Sequence, residues 1–197
     1  PEAVRVLEMM VEKSKDILKK GDYQVTDERA RAIWIYTGYY FDLLGFYNWM
    51  EDNGIAYLGD GLDLYFPSPV DTSSMETMFE GIAEAAWNMP MTRQVGGETM
   101  LTNWLDDILY AVGDLRATCA IYCGHHACKQ TWSVFSGVRN ELFKRTGIPT
   151  LCLQGDSWIR RMTPTSVLQD EISSFIDNVV SKKRRRTHRK PGSLKEA

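Results

Sequence analysis

No stretch of this 197-residue sequence approaches the roughly 20 consecutive apolar residues that a bilayer-crossing helix needs, which argues against a membrane span. An apolar leader is missing too. The chain opens Pro1-Glu2-Ala3-Val4-Arg5, a charged amphipathic pattern, and without an initiator Met it reads as a fragment or a processed chain. A cytoplasmic location follows as the expectation. Cysteine is scarce: Cys119, Cys123, Cys128 and Cys152 are all there are, and no Cys-x2-Cys pair occurs, which excludes a ribbon-type zinc site. Without a secretory leader these cysteines read as thiols or metal ligands before disulfides. Phosphate fingerprints are also lacking, because Gly59-Asp60-Gly61 and Gly96-Gly97 are too short for one. There is no internal repeat. Nor has the body a basic surplus: before Ser181 fifteen Lys/Arg stand against twenty-five Asp/Glu, which excludes a general nucleic-acid-binding domain. The net charge of −3 arises only because the last seventeen residues carry eight Lys/Arg and one Glu. That tail reads as a disordered, solvated extension, or as an electrostatic contact for an acidic partner or a nucleic acid.

What is present is an ordinary globular composition, 44% apolar and 25% charged, at a length that supports a sizeable core. Residues 3–20 carry apolar positions at helical spacing and end at Gly21. Short apolar runs at Ala32–Tyr36, Ile55–Leu58, Arg116–Tyr122 and Pro149–Leu153 read as strands buried on both faces. Between them lie helical patterns over 41–51, from Asp71 or Thr72 to 88, over 98–112 and over 128–145, with a last one over 165–180. Strand and helix alternate four times. The fold class is therefore α/β: a doubly wound, mostly parallel four-stranded sheet with helices on both faces, flavodoxin-like. The expected organisation is a helical lead-in (1–30), the α/β domain (31–180) and the basic tail (181–197). Ligands of such folds sit beyond the carboxyl ends of the strands, which selects Thr37–Tyr40, Gly59–Ser68, Cys123–Cys128 and Gln154–Arg161.

The densest chemistry is Cys119-x3-Cys123-Gly124-His125-His126-Ala127-Cys128: three thiols and two imidazoles within ten residues, the composition of a soft-metal site. The strand assignment divides them. Cys119 and Cys152 lie within strands and read as small buried hydrophobes. Cys123 ends a strand and suits either role. Cys128 lies where a turn opens a helix, and a helix N-terminus favours thiolate. His125 and His126 read either as solvated or capping residues, or as a proton donor and a hydrogen bond to a bound ligand. The six tryptophans are dispersed and read as core or interface.

Three segments in register carry a resemblance. Tyr122–Trp132, with Gly124-His125-His126-Ala127-Cys128-Lys129-Gln130-Thr131-Trp132, resembles the G-H-x-x-C-K-Q-x-W segment of 2-hydroxyacyl-CoA dehydratase subunits. Gly147-Ile148-Pro149-Thr150-Leu151 followed by Gly155-Asp156 and Arg160 or Arg161 resembles their G-I-P-x-L, G-D and R stretch. Asn88-Met89-Pro90-Met91-Thr92-Arg93-Gln94 is similar to their N-M-P-x-x-R-Q. The chain thus resembles the C-terminal half of an iron–sulfur subunit of the 2-hydroxyacyl-CoA dehydratase/benzoyl-CoA reductase family.

The resemblance implies a [4Fe-4S] cluster held partly by Cys128 and partly by residues outside this chain. It also implies a second dehydratase subunit, an ATP-dependent activator iron–sulfur protein and an acyl-CoA substrate. Activator-driven electron injection would reduce the (R)-2-hydroxyacyl thioester to a ketyl radical that expels the C2 hydroxide. His125 and His126 become candidate catalytic residues. Arg93, Gln94 and Gln130 become candidates for binding the substrate, Arg93 and Gln94 alternatively forming a plain surface loop. Reduction of an aryl-CoA, and a cluster-free supporting subunit without catalysis, are the competing roles.

Overall fold

The computed structural model describes residues 2–22, 25, 27–62, 68–89 and 100–182. Four parallel strands, β1 (Ala30–Trp34), β2 (Ile55–Asp60), β3 (Cys119–Cys123) and β4 (Thr150–Leu153), form one sheet in the order β2-β1-β3-β4. Around them run α1 (Glu2–Lys20), α2 (Leu43–Asp52), α3 (Met75–Trp87), α4 (Met100–Asp114), α5 (Lys129–Thr146) and α6 (Thr165–Phe175). A π-helical turn, Ile176–Val180, prolongs α6. This is the doubly wound arrangement expected from the alternation of apolar runs with helical stretches.

Period-two alternation explains the two faces. Ala30, Ala32, Trp34, Cys119, Ile121, Cys123 and Leu153 pack beneath α2 and α6, around Phe46, Met50, Leu168 and Ile172. Ile33, Ile35, Ala120 and Tyr122 pack on the opposite side under α4 and α5, against Trp104, Ile108, Phe135 and Leu142. Because both faces are covered, the strands read as continuous apolar runs. Trp34 is fully buried and meets Tyr39, Phe46 and Tyr47 edge-on, with ring centroids 5.5–6.0 Å away.

The element boundaries shift for local reasons. β1 ends at Trp34, not Tyr36, which frees Tyr36 to lie beyond the carboxyl edge. β3 starts at Cys119 because Arg116, at φ 53°, occupies the left-handed region just after α4. Ser74, not Asp71 or Thr72, caps α3 through a reciprocal capping box with Thr77. Gly147, at φ 71°, closes α5 as expected, its N–H bonding the Phe143 carbonyl at 2.7 Å. β4 is an edge strand, so Cys152 is half-buried, whereas Cys119 is wholly enclosed.

One irregularity shapes the sheet's carboxyl edge. Ala32 pairs with Tyr57 but Trp34 pairs with Asp60, so β2 carries one residue more than β1 across this step. Gly59 lies in the bulge with φ 115°. The extra residue resets which way Asp60 points.

Candidate site at the carboxyl edge of the sheet

In the order β2-β1-β3-β4, the connections leaving β1 and β3 diverge to opposite sides, so the topological switch point lies between these two strands. The segments following them meet there. Cys128 is the N-cap residue of α5, and its own side chain makes no capping hydrogen bond. Its N–H instead bonds the His125 carbonyl at 2.9 Å, closing the turn. The thiol is only partly buried. Partial burial pushes it up, but the polar groups gathered round the sulfur, the Thr131 hydroxyl and N–H, the Tyr36 hydroxyl and the Gln130 N–H, outweigh that and hold it below the ordinary thiol value. Tyr36 thus reaches from the end of β1 to the sulfur at the end of β3, stacked on Trp104 at 5.1 Å. Its own hydroxyl is pushed up to about 12 by burial, then by the neighbouring Cys128, so it stays a donor. Thr131 is fixed from below, where its hydroxyl accepts from Tyr122 at 3.0 Å and donates to the Cys128 carbonyl at 3.1 Å.

Cys123 is only five positions away and lives in another environment. It belongs to the core beneath α6, fully buried, and burial pushes its thiol up to about 12. The same holds for Cys119. The two alternatives open for Cys123 thus resolve toward a core thiol. Among the described residues, no group of three or more His, Cys, Asp or Glu side chains is arranged to hold a metal ion.

Beside Cys128 lies a buried carboxylate. Asp156 is 1% exposed. One oxygen accepts from the His125 ring Nδ1 at 2.6 Å and from the His126 N–H at 2.7 Å, and the other from the N–H groups of Trp158 and Ile159 at 2.8 and 2.9 Å. Burial alone would raise this acid; the four donors overrule it and hold it at about 2. The His125 side chain is 41% exposed, so the ring is anchored at one nitrogen and open at its other edge. Its carbonyl also accepts from the Trp132 indole at 3.2 Å. The exposed His126 contributes a backbone donor to the same carboxylate.

Glycines let these loops approach. A Cβ on Gly124 would stand 2.6 Å from the Tyr122 hydroxyl, and one on Gly155 2.4 Å from that of Tyr39. Thr37 and Ser157, both buried, share a 2.6 Å hydrogen bond that ties the loop after β1 to the loop after β4. On the other side of β1, the re-aimed Asp60 accepts from the Gly38 and Leu62 N–H groups and the Tyr40 and Tyr57 hydroxyls at 3.0–3.4 Å. Asp60 therefore organises a loop, and Gly59 before it marks the bulge.

Of the residues selected from sequence, the structure brings Cys128, His125 and His126 together, with Gln130 in the exposed first turn of α5, its N–H among the groups that act on the thiol. Arg93 and Gln94 lie outside the described residues, as does the tail from residue 183. Sequence reading gives Tyr36 no role beyond that of the last residue of the first strand. Asp156 stood in a quoted motif without a role, and only the fold places it against His125.

The family model described as 2-hydroxyglutaryl-CoA dehydratase, D-component, matches residues 1–179. The chain belongs to this family. No curated protein matches it. The D-component match spans all four strands and both halves of the site, so Cys128, His125 and Asp156 all fall within it. Among the described residues of this D-component family member, no helix is long and apolar enough to cross a membrane.

Proposed function

We propose that this chain is the C-terminal part of an iron–sulfur subunit of a cytoplasmic 2-hydroxyacyl-CoA dehydratase, with Cys128 as its single ligand to a [4Fe-4S] cluster completed by residues outside the chain. The observation that carries the reading is the Cys128 sulfur itself. It lies at the switch point, partly open, held toward the thiolate form by a helix N-terminus and a tyrosine hydroxyl. Iron–sulfur clusters take thiolate ligands, so this donor fits one coordination position. The other described thiols fit less well, because Cys119, Cys123 and Cys152 lie within strands and burial pushes all three up, away from the thiolate form. When bound, the cluster would supply a single low-potential electron to the acyl thioester, delivered by an ATP-dependent activator.

The chain's own residues then handle protons. In this reading the open nitrogen of neutral His125 takes the C3 proton, the C3–H bond breaking with its electron pair left on carbon. The imidazolium passes that proton to the hydroxide already expelled from C2, and the single electron is given back, so that one water departs for each enoyl-CoA formed with no net redox change. His126 and Gln130 border the same mouth and would contact the acyl-CoA, with Arg93 and Gln94 as further candidates for its phosphates. A second subunit completes the enzyme. The test is anaerobic reconstitution with the partner subunit and activator, followed by iron analysis, EPR and turnover. Wild type should carry a cluster signal, and Cys128→Ser should lose it together with activity. Full iron and full turnover in Cys128→Ser would reject the assignment, and a wild-type assembly without iron would favour a cluster-free supporting role.

A further inference from the structure

The buried carboxylate beside the cluster position has a geometry that selects one form of a neighbouring ring. We infer that Asp156 is a positioning residue, which fixes His125 with its Nδ1 protonated and inward and its Nε2 bare and facing the mouth of the site. This deepens the proton-transfer reading above and rests on it for its functional consequence.

Three of the four hydrogen bonds at Asp156 come from backbone N–H groups, those of His126, Trp158 and Ile159, which are donors by constitution. Three fixed donors at 2.7–2.9 Å around a carboxyl with 1% exposure favour an ionised acceptor, and the one site left for a carboxyl proton faces His125 Nδ1, where an imidazole, a much stronger base than a carboxylate, takes it. The fourth contact, 2.6 Å from His125 Nδ1, must therefore also be a donated bond, so the ring proton belongs on Nδ1. In a neutral imidazole that leaves Nε2 with its lone pair free. The main chain on both sides of His125 is pinned, which fixes the point from which the ring reaches Asp156. The His125 carbonyl holds the Cys128 N–H and the Trp132 indole, and the next residue's N–H is on Asp156 itself. The result is a ring oriented by a third group, the arrangement that proton-transferring histidines require. The sheet supplies it across strands: His125 follows β3, Asp156 follows β4, and the two loops close over the carboxyl edge.

The test reads the tautomer directly, without a cluster or a substrate. The full chain, labelled with nitrogen-15, is examined at pH 8 by long-range proton–nitrogen correlation of its three histidines, with His125→Gln identifying the signal of interest. The expected pattern is a protonated Nδ1 and an unprotonated Nε2 for His125, changing in Asp156→Asn to a ring protonated mainly at Nε2. An Nε2-protonated or freely averaging His125 in wild type would overturn the inference even if Asp156→Asn failed to fold. So would an unchanged pattern in folded Asp156→Asn. In the reconstituted enzyme, Asp156→Asn should lower kcat about 100-fold, within the range of lost acid–base catalysis, with iron content unaltered. Full turnover in His125→Gln would remove the catalytic role proposed for the ring while leaving its orientation by Asp156 intact, so the two failures are distinguishable.

Discussion

Cys123 and Cys128 are five positions apart and differ by a full change of environment: one lies in the core beneath α6, the other at a helix N-terminus partly open to solvent. Thiolate is the reactive form, so the lowered Cys128 should alkylate first. We predict that limiting iodoacetamide at pH 7.5 modifies Cys128 well before Cys119 and Cys123, measured by peptide mass spectrometry of the native protein. Asp156 gives a second residue-scale prediction. Its pKa is depressed from 3.8 to about 2, which corresponds to about 2 kcal/mol. A depressed acid stabilises the fold above its unfolded value and loses that contribution as pH falls through the folded one. The stability gap between wild type and Asp156→Asn, measured by urea unfolding, should therefore be full at pH 5 and shrink between pH 4 and pH 2.

At the scale of elements, α5 begins on a residue that does not cap it. Serine is among the preferred N-cap residues and would accept from an exposed N–H of the first turn. Cys128→Ser should therefore leave the thermal midpoint of the isolated chain unchanged or slightly raised while it removes the proposed iron ligand; calorimetry checks this. That separates loss of function from loss of fold. The turn leaving β2 is less forgiving. A Cβ on Gly61 would stand 2.4 Å from the Ile35 carbonyl oxygen, a backbone atom that cannot swing aside. Gly61→Ala should cost about 1–3 kcal/mol, as overpacking does, read from the shift of the urea midpoint.

For the molecule as a whole, stability resides in the sheet and the four helices packed on it. α1 and α3 contain no buried residue, and Val4, Leu7, Val11, Phe79 and Trp87 are all more than half exposed. Deleting residues 1–20 should accordingly leave the thermal midpoint of the body nearly unchanged in a calorimetric scan. Trp34→Ala, by contrast, empties the centre of one layer and should cost about 3–5 kcal/mol.

The sequence by itself determined the four parallel strands, the order of the helices and the place of Cys128 at a strand-to-helix turn. Those features are written in local periodicity, in Gly147 and Asn53-Gly54 as helix stops, and in apolar runs that mean two covered faces. Its segments also carried the resemblance that the D-component match bears out. Only the tertiary structure decided what surrounds that cysteine. Tyr36 and Cys128 are ninety-two positions apart, and His125 and Asp156 thirty-one. Their meeting depends on which strands are neighbours and on how far each strand runs. A boundary shift of two residues placed Tyr36 beyond β1, and one inserted residue in β2 turned Asp60 toward the loop it organises. Periodicity cannot carry such information, because it reports which face a residue occupies along its own element. The partners across the carboxyl edge are set by sheet order and register.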